Sequence, residues 1–203
     1  MTAVRKPGPK PKAGTREKLL SAGLRVIEGN GYAATGISDI SDAAEVAKGS
    51  FYHHFESKEI FGAAAVDEYF ENHWIFLTSI LENPEMAPVA RLRAYFAARI
   101  EAFRTAGFNR GCMLGNLGLE VSDHSDMIRA RLDAHFQRWS DLVTSCIEEA
   151  QQLGTVSSAQ PAKQLGRFLV SSWEGAILRM RVEKSDRALL EFVDFTFEHL
   201  LKR

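Results

Sequence analysis

The sequence predicts an all-α protein, with three short helices at the N-terminus followed by a larger helical domain. Three observations carry this. Apolar residues recur at three- and four-residue spacing along almost the whole 203-residue chain, which is the period of a helix with one buried face. No strand-like alternation persists. Turn-forming residues cut the pattern into pieces of helix length, at Gly29-Asn30-Gly31, Asn83-Pro84, Gly107, Gly154 and Ser185-Asp186. No internal repeat is visible. With 45% hydrophobic and 25% charged residues, the chain suits one compact unit, or a small domain joined to a medium one, and is long enough to bury a core.

Residues 1–14 hold three prolines and two glycines, which forbid a helix and predict a mobile basic arm. Thr15 then offers an N-cap, and Leu20, Leu24 and Ile27 follow at helical spacing. Gly29-Asn30-Gly31 stops this first helix. A short second helix is expected from about Ile37 to Ala44, with Gly36 as its cap and Asp39 placed to favour the helix dipole. Glu45-Val46-Ala47 is a turn, and a third helix runs from about Lys48 to Phe55. Ser57 caps a long fourth helix over about 58–81. Further helices are expected over about 88–106, 113–121, 125–152, 159–183 and 186–201.

The second and third helices have about two turns each and are too short to be stable alone. They must pack on the first helix, through Ile37, Ile40, Val46, Phe51 and Phe55. Phe51 and Phe55 are one turn apart and point inward together. Lys48, Gly49, Ser50, Tyr52 and His53 are left outward. That face is small, polar and cationic at its start, and a helix carrying it can enter the major groove of DNA. Its N-terminus adds a partial positive charge and free N–H groups.

Charge distribution agrees. The net charge is only −1, but Arg5, Lys6, Lys10, Lys12, Arg16 and Lys18 crowd the first 18 residues against Glu17 alone. A basic front end on an acidic body fits a nucleic-acid contact at one end, although a merely solvated tail has the same composition. No apolar run approaches the length of about 18 residues that a membrane span needs. The basic N-terminus lacks the apolar stretch of a signal peptide. Two cysteines, Cys112 and Cys146, make no disulfide framework and suit a reducing cytoplasm. His124 and His135 lack a partner at metal-ligand spacing, and His53-His54 beside Glu56 is explained by its place in the third helix, so no metal site and no cofactor is implied.

The run Gly31-Tyr32-Ala33-Ala34-Thr35-Gly36-Ile37-Ser38-Asp39-Ile40, followed by Ala44-Glu45-Val46-Ala47-Lys48-Gly49-Ser50-Phe51-Tyr52-His53-His54-Phe55-Glu56-Ser57-Lys58-Glu59, resembles the DNA-binding domain of the tetracycline-repressor (TetR) family. The match is close over about residues 15–62. The remainder, 63–203, agrees in helical layout and length. The resemblance implies a helix-turn-helix domain over 15–62 and a regulatory domain, for ligand binding and dimerisation, over 63–203. It implies that Lys48, Gly49 and Ser50 lie nearest the base edges. Tyr52, His53 and His54 would contact phosphates or sugars, Lys58 would reach a phosphate from the start of the fourth helix, and Thr35 would touch DNA backbone near the second. Two positions depart from the family pattern. Glu45 stands where a turn glycine is usual, which suggests a turn without a left-handed residue. Ala47 stands where a serine cap is usual, which removes a cap bond worth about 1 kcal/mol.

For the regulatory domain the resemblance implies a homodimer in which the last two helices pair with their symmetry mates in a four-helix bundle. Phe168, Trp173, Ile177, Phe192, Phe195 and Phe197 supply apolar surface for that, or pack on the domain's own core. The segment Arg110-Gly111-Cys112-Met113-Leu114-Gly115-Asn116-Leu117-Gly118-Leu119-Glu120-Val121-Ser122-Asp123 is similar to one in a subgroup that includes N-ethylmaleimide-reductase repressors and acrylate-responsive repressors. There a cysteine can sense electrophiles or oxidants. At a helix start the dipole would stabilise the Cys112 thiolate, and Arg110 would add positive charge. The alternative is a small buried apolar residue, which is also the reading for Cys146. Asn116, Glu120 and Arg99 are polar candidates for an effector site. Trp74, Phe76, Tyr95, Phe96, Phe103, Phe136 and Trp139 are either core or pocket.

Together these expectations describe a DNA-binding transcriptional regulator, more a repressor than an activator, that binds double-stranded operator DNA as a homodimer and is released by a small-molecule effector or a thiol-reactive compound, the alternative being a purely non-covalent ligand. The competing readings are weaker. No phosphate loop, nucleophile elbow, zinc signature or paired-carboxylate motif points to an enzyme. An architectural DNA binder would need a basic surface beyond the first domain.

Overall fold

The computed structural model describes residues 14–202, so the expected basic arm lies outside the described residues except for Gly14. Among the described residues every regular element is helical: α1 (Thr15–Asn30), α2 (Ile37–Ala43), α3 (Lys48–His54), α4 (Lys58–Leu81), α5 (Pro88–Thr105), α6 (Met113–Val121), α7 (Asp126–Gln152), α8 (Ala162–Glu183) and α9 (Arg187–Phe195), the last continued by a π-helical turn at Thr196–Leu200. The chain divides into two compact units, Met1–Ala65 and Val66–Arg203, with the boundary inside α4.

In the first unit α1–α3 and the start of α4 enclose a core of Leu19, Leu20, Ile27, Ile40, Phe51, Phe55 and Phe61. The rings of Phe51, Phe55 and Phe61 meet with centroids 5.0–5.5 Å apart. α1 comes close to this cluster because Gly23 has no side chain: a Cβ there would collide with the Phe61 ring. Ser57 caps α4 as expected, accepting from the Ile60 N–H at 3.1 Å. Asp39 accepts from the Gly36 N–H at 2.7 Å and so closes the entry to α2. Thr15 is not a cap. Gly14, at φ 80°, occupies the cap position, and Thr15 is the first helical residue and is buried.

The α2–α3 turn corrects a second expectation. Glu45 takes a left-handed conformation, φ 55°. The Val46 N–H reaches back to Ser41 O at 3.0 Å and the Glu45 N–H to Asp42 O at 3.1 Å, the paired bonds of a Schellman termination. That motif needs a left-handed residue just past the cap, so the turn imposes it on Glu45 although glycine would adopt it more easily. Glu45→Gly should therefore raise stability by about 0.5–1 kcal/mol, seen as a higher urea midpoint. A lower midpoint would contradict this account of the turn.

In the second unit α7 and α8 share the most extensive packing. Gly166 permits it, since a Cβ there would press on Thr144 and on the Ser140 carbonyl. Phe96, Trp173 and Phe192 stack between α5, α8 and α9 with centroids 4.9–5.2 Å apart. Buried Arg91 ties α5 to α7 through Glu149 at 2.7 Å and donates to Met86 O at 2.8 Å. α8 starts at Ala162, not near 159, because Pro161 holds the residues before it out of the helical region. The Gln151 amide fastens that connection through Ser157 O and Gln160 O. Among the described residues no helix is long and apolar enough to cross a membrane.

Candidate functional site

Two places in the structure carry chemistry beyond packing. The first is the outer face of α3. Phe51 is fully buried, while Lys48, Gly49, Tyr52 and His53 are exposed and Ser50 and His54 are half-buried. Tyr52 meets the Phe51 ring edge-on with centroids 5.6 Å apart and keeps 51% of its surface exposed. The backbone before α3 is extended at Ala47, with no side-chain cap bond, so the serine cap of the family pattern is indeed missing. A Cβ on Gly49 would touch nothing, and glycine inside a helix costs about 1 kcal/mol against alanine. The packing of the first unit therefore gives no reason for glycine here.

Thr35 and Lys58 both make contacts within the first unit. Thr35 is 1% exposed and donates its hydroxyl to Gly31 O at 2.6 Å, while its N–H bonds Tyr32 O at 3.2 Å. It shapes the α1–α2 connection from within, and its hydroxyl is already engaged there. The Lys58 ammonium lies 4.4 Å from the Tyr32 ring centre and donates to Ala33 O at 3.3 Å. The Tyr32 hydroxyl returns a bond to Lys58 O at 3.1 Å. Lys58 thus pins the same connection to the start of α4.

The second place is a cavity of about 310 Å³ in the second unit. α6 with its N-cap residue supplies Cys112, Gly115, Asn116, Gly118 and Leu119, α7 supplies Phe136, and α8 supplies Glu174, Gly175, Ile177, Leu178 and Arg181. A neighbouring cavity of about 340 Å³ shares Phe136 and Glu174 and is bordered by Asp133, Gln137, Ser140, Arg167, Val170 and Ser171. Gly115 keeps the first cavity open at its floor, since a Cβ would collide with the Glu174 carboxylate. At the rim the Arg181 guanidinium donates to Asn116 Oδ1 at 2.6 Å.

Cys112 sits at the start of α6 as expected, but its electrostatics are reversed. It is buried, and its thiol lies beside the Glu174 carboxyl. Burial first, then the Glu174 charge, pushes the thiol well above its ordinary range, outweighing the α6 backbone N–H groups. Arg110 is exposed in a left-handed loop position, φ 62°, and the charge that acts on Cys112 is Glu174. Burial raises Glu174 in turn, to about 7, against the Cys112 thiol and the Arg99 charge, which both lower it. Glu174 Oε1 is sealed from solvent and has no hydrogen-bond partner among the described residues.

Of the residues expected to sense an effector, Cys112 and Asn116 line the cavity, and Arg110 and Glu120 do not. Of the aromatic candidates Phe136 lines it, whereas Tyr95, Phe96, Phe103 and Trp139 are core. His73, behind them, is pushed down to about 4 by burial and then by the Arg99 charge. Glu174 and Arg181 were not anticipated. The signal for Glu174 was present: it follows Val170 by four residues and precedes Ile177 by three, a charge on the buried stripe of α8. Cys146 is packed and donates to Leu81 O at 3.1 Å. His135 pairs with Asp67 at 2.7 Å.

Comparison with known proteins gives the family of the chain. Residues 19–64 match the family model described as bacterial regulatory proteins, tetR family, and residues 88–195 match the tetracyclin repressor-like C-terminal domain. The HTH-type transcriptional repressor DhaR of Mycobacterium sp. strain GP1 is 40% identical over 186 residues, 92% of each chain. The transcriptional regulator AcuR of Cereibacter sphaeroides is 34% identical, over 92% of this chain and 85% of its own. The crystal structure of the reduced form of E. coli NemR superposes with a TM-score of 0.85 at 29% identity, covering 91% of this chain and 95% of that one. With two matched domains and relatives aligned over most of their length, the chain belongs to the TetR family of helix-turn-helix transcriptional regulators.

Proposed function

We propose that the protein is a repressor that covers a palindromic operator as a homodimer and leaves it when a small-molecule effector enters the second unit. The observation that carries the DNA half is the α3 face, with Lys48, Gly49 and Tyr52 exposed over a buried Phe51 anchor. On this reading Lys48, Gly49 and Ser50 meet base edges, and Tyr52, His53 and His54 meet the sugar–phosphate backbone. Repression is supported by DhaR and NemR, both named as transcriptional repressors. The cytoplasm is where such a regulator meets its DNA and where two unpaired thiols stay reduced.

The homodimer is supported by the outer faces of α8 and α9. Trp173, Ile177 and Phe197, read from sequence as dimer candidates, are packed in their own domain, each under 5% exposed. Phe168, Leu178 and Val182 on α8 and Leu190 and Phe195 on α9 are the exposed apolar groups, from 45% to 75%, and these are the surface that a second copy would bury. A single two-turn reading helix covers too few bases for tight specificity, and a dimer places two of them about 34–36 Å apart. Titrating a palindromic duplex from the region upstream of the chain's own gene should therefore saturate at two chains per site, or a multiple of two. Tight binding by a monomer at one chain per site would overturn the proposal.

A further inference from the structure

We propose that the cavity between α6 and α8 is the effector site. We propose also that it takes a small uncharged molecule with an apolar body and one hydroxyl or primary amide group, which Glu174 holds. The inference rests on the reading of the chain as an effector-controlled regulator and adds to it a place, an anchoring residue and a ligand class.

Three observations support the place. The walls are mostly carbon, from Phe136, Ile177 and Leu178, with Gly115 and Gly118 leaving room where side chains would otherwise stand. The volume, about 310 Å³, falls at the lower end of small-molecule sites. Glu174 lines the cavity, and its Oε1 is buried without a hydrogen-bond partner among the described residues. Buried polar groups in folded proteins are nearly always satisfied, and a carboxyl in the cavity wall with one unsatisfied oxygen gains a partner by turning that oxygen toward a guest.

Charge selects the class. A carboxylate guest would set its charge against Glu174 in a medium that screens poorly. A cationic guest would pass Arg181 at the rim and meet the Arg99 charge that already acts on Glu174. A neutral guest avoids both costs. Glu174 is raised to about 7, so near neutral pH it is present both as an acceptor and as a donor. A hydroxyl or primary amide can donate to the first form and accept from the second, while ketones and esters can only accept. Gly175 and Leu178 in the cavity lining are exposed and lie on the same face of α8 as Phe168 and Val182, so a second copy docked on that face would cover them as well.

The test is isothermal titration of the full-length protein at pH 7 with four probes of one chain length: hexan-1-ol, hexanamide, hexanoate and hexylammonium. The alcohol and the amide should bind, and the two ions should bind at least about tenfold more weakly. Glu174→Leu should weaken the alcohol by about tenfold or more, and Glu174→Gln, which keeps a donor and an acceptor, should restore it to within about threefold. No binding by either neutral probe, equal binding of all four, or unchanged alcohol affinity in Glu174→Leu would each overturn the inference. Operator release is read separately, by fluorescence anisotropy of the labelled duplex. Glu174-dependent binding without release would leave the site standing and refute the effector reading on which it rests.

Discussion

Phe51→Ala should cost about 3–5 kcal/mol, enough to melt the reading head, because the ring stands at the centre of a core with little else to spare. Phe51 is 0% exposed and touches both Phe55 and Phe61 at centroid distances near 5.5 Å. α2 and α3 have seven residues each, too few to persist as isolated helices, so nothing local replaces the lost contact. Hydrogen exchange should show α2 and α3 amides losing protection while α7 and α8 keep theirs, and operator binding should vanish with the protection. Unchanged exchange in α2 and α3 would mean that the aromatic cluster is not what holds α3.

The second large effect is the pH dependence contributed by Glu174. Its folded value of about 7 lies above the ordinary 4.5, so the folded state binds the proton more tightly than the unfolded chain does. The resulting stabilisation is present below about pH 4.5 and is lost as pH rises through about 7. A displacement of that size corresponds to about 3 kcal/mol. The groups around the carboxyl are the Cys112 thiol from α6, the Arg99 charge from α5, the Asn116–Arg181 pair at the rim and, from α7, the uncharged Phe136 ring. Glu174→Gln removes the ionisation while keeping size and polarity. In urea denaturation the variant should match the wild type near pH 4 and exceed it near pH 8. A constant difference between the two proteins across that range would contradict the burial assigned to Glu174.

The sequence made local features legible and hid those set by distant contacts. Ser57 capping α4 and Asp39 closing the entry to α2 involve residues three apart, and both appear where the pattern places them. Glu45 was misread because its left-handed backbone belongs to the Schellman turn that launches α3, not to the preference of glutamate. Thr35 reads as a polar loop residue, yet its hydroxyl is spent on Gly31 O inside the first unit. On α8 the helical period was plain, but the helix carries two apolar stripes. Which one faces inward follows only from packing: Trp173 and Ile177 are inside, Phe168, Leu178 and Val182 outside.

Cys112 shows the same division at the candidate site. Its place at the start of α6 was readable from the preceding glycine. Its electrostatic environment was not, because the decisive neighbour, Glu174, lies on α8 and becomes a neighbour only on folding. A helix start lowers a thiol pKa where the thiol meets solvent or a cation. Here the thiol meets a buried carboxylate instead, and burial dominates.

The central claim is that the exposed face of α3 reads operator DNA, and it is tested most directly by fluorescence anisotropy on the upstream duplex with Lys48→Ala and Tyr52→Ala. Both side chains are exposed in the protein alone, so neither change should lower the melting temperature. Each should weaken operator binding by about 1–3 kcal/mol, roughly tenfold to a hundredfold. Wild-type affinity in both variants would show that α3 is not the reading helix.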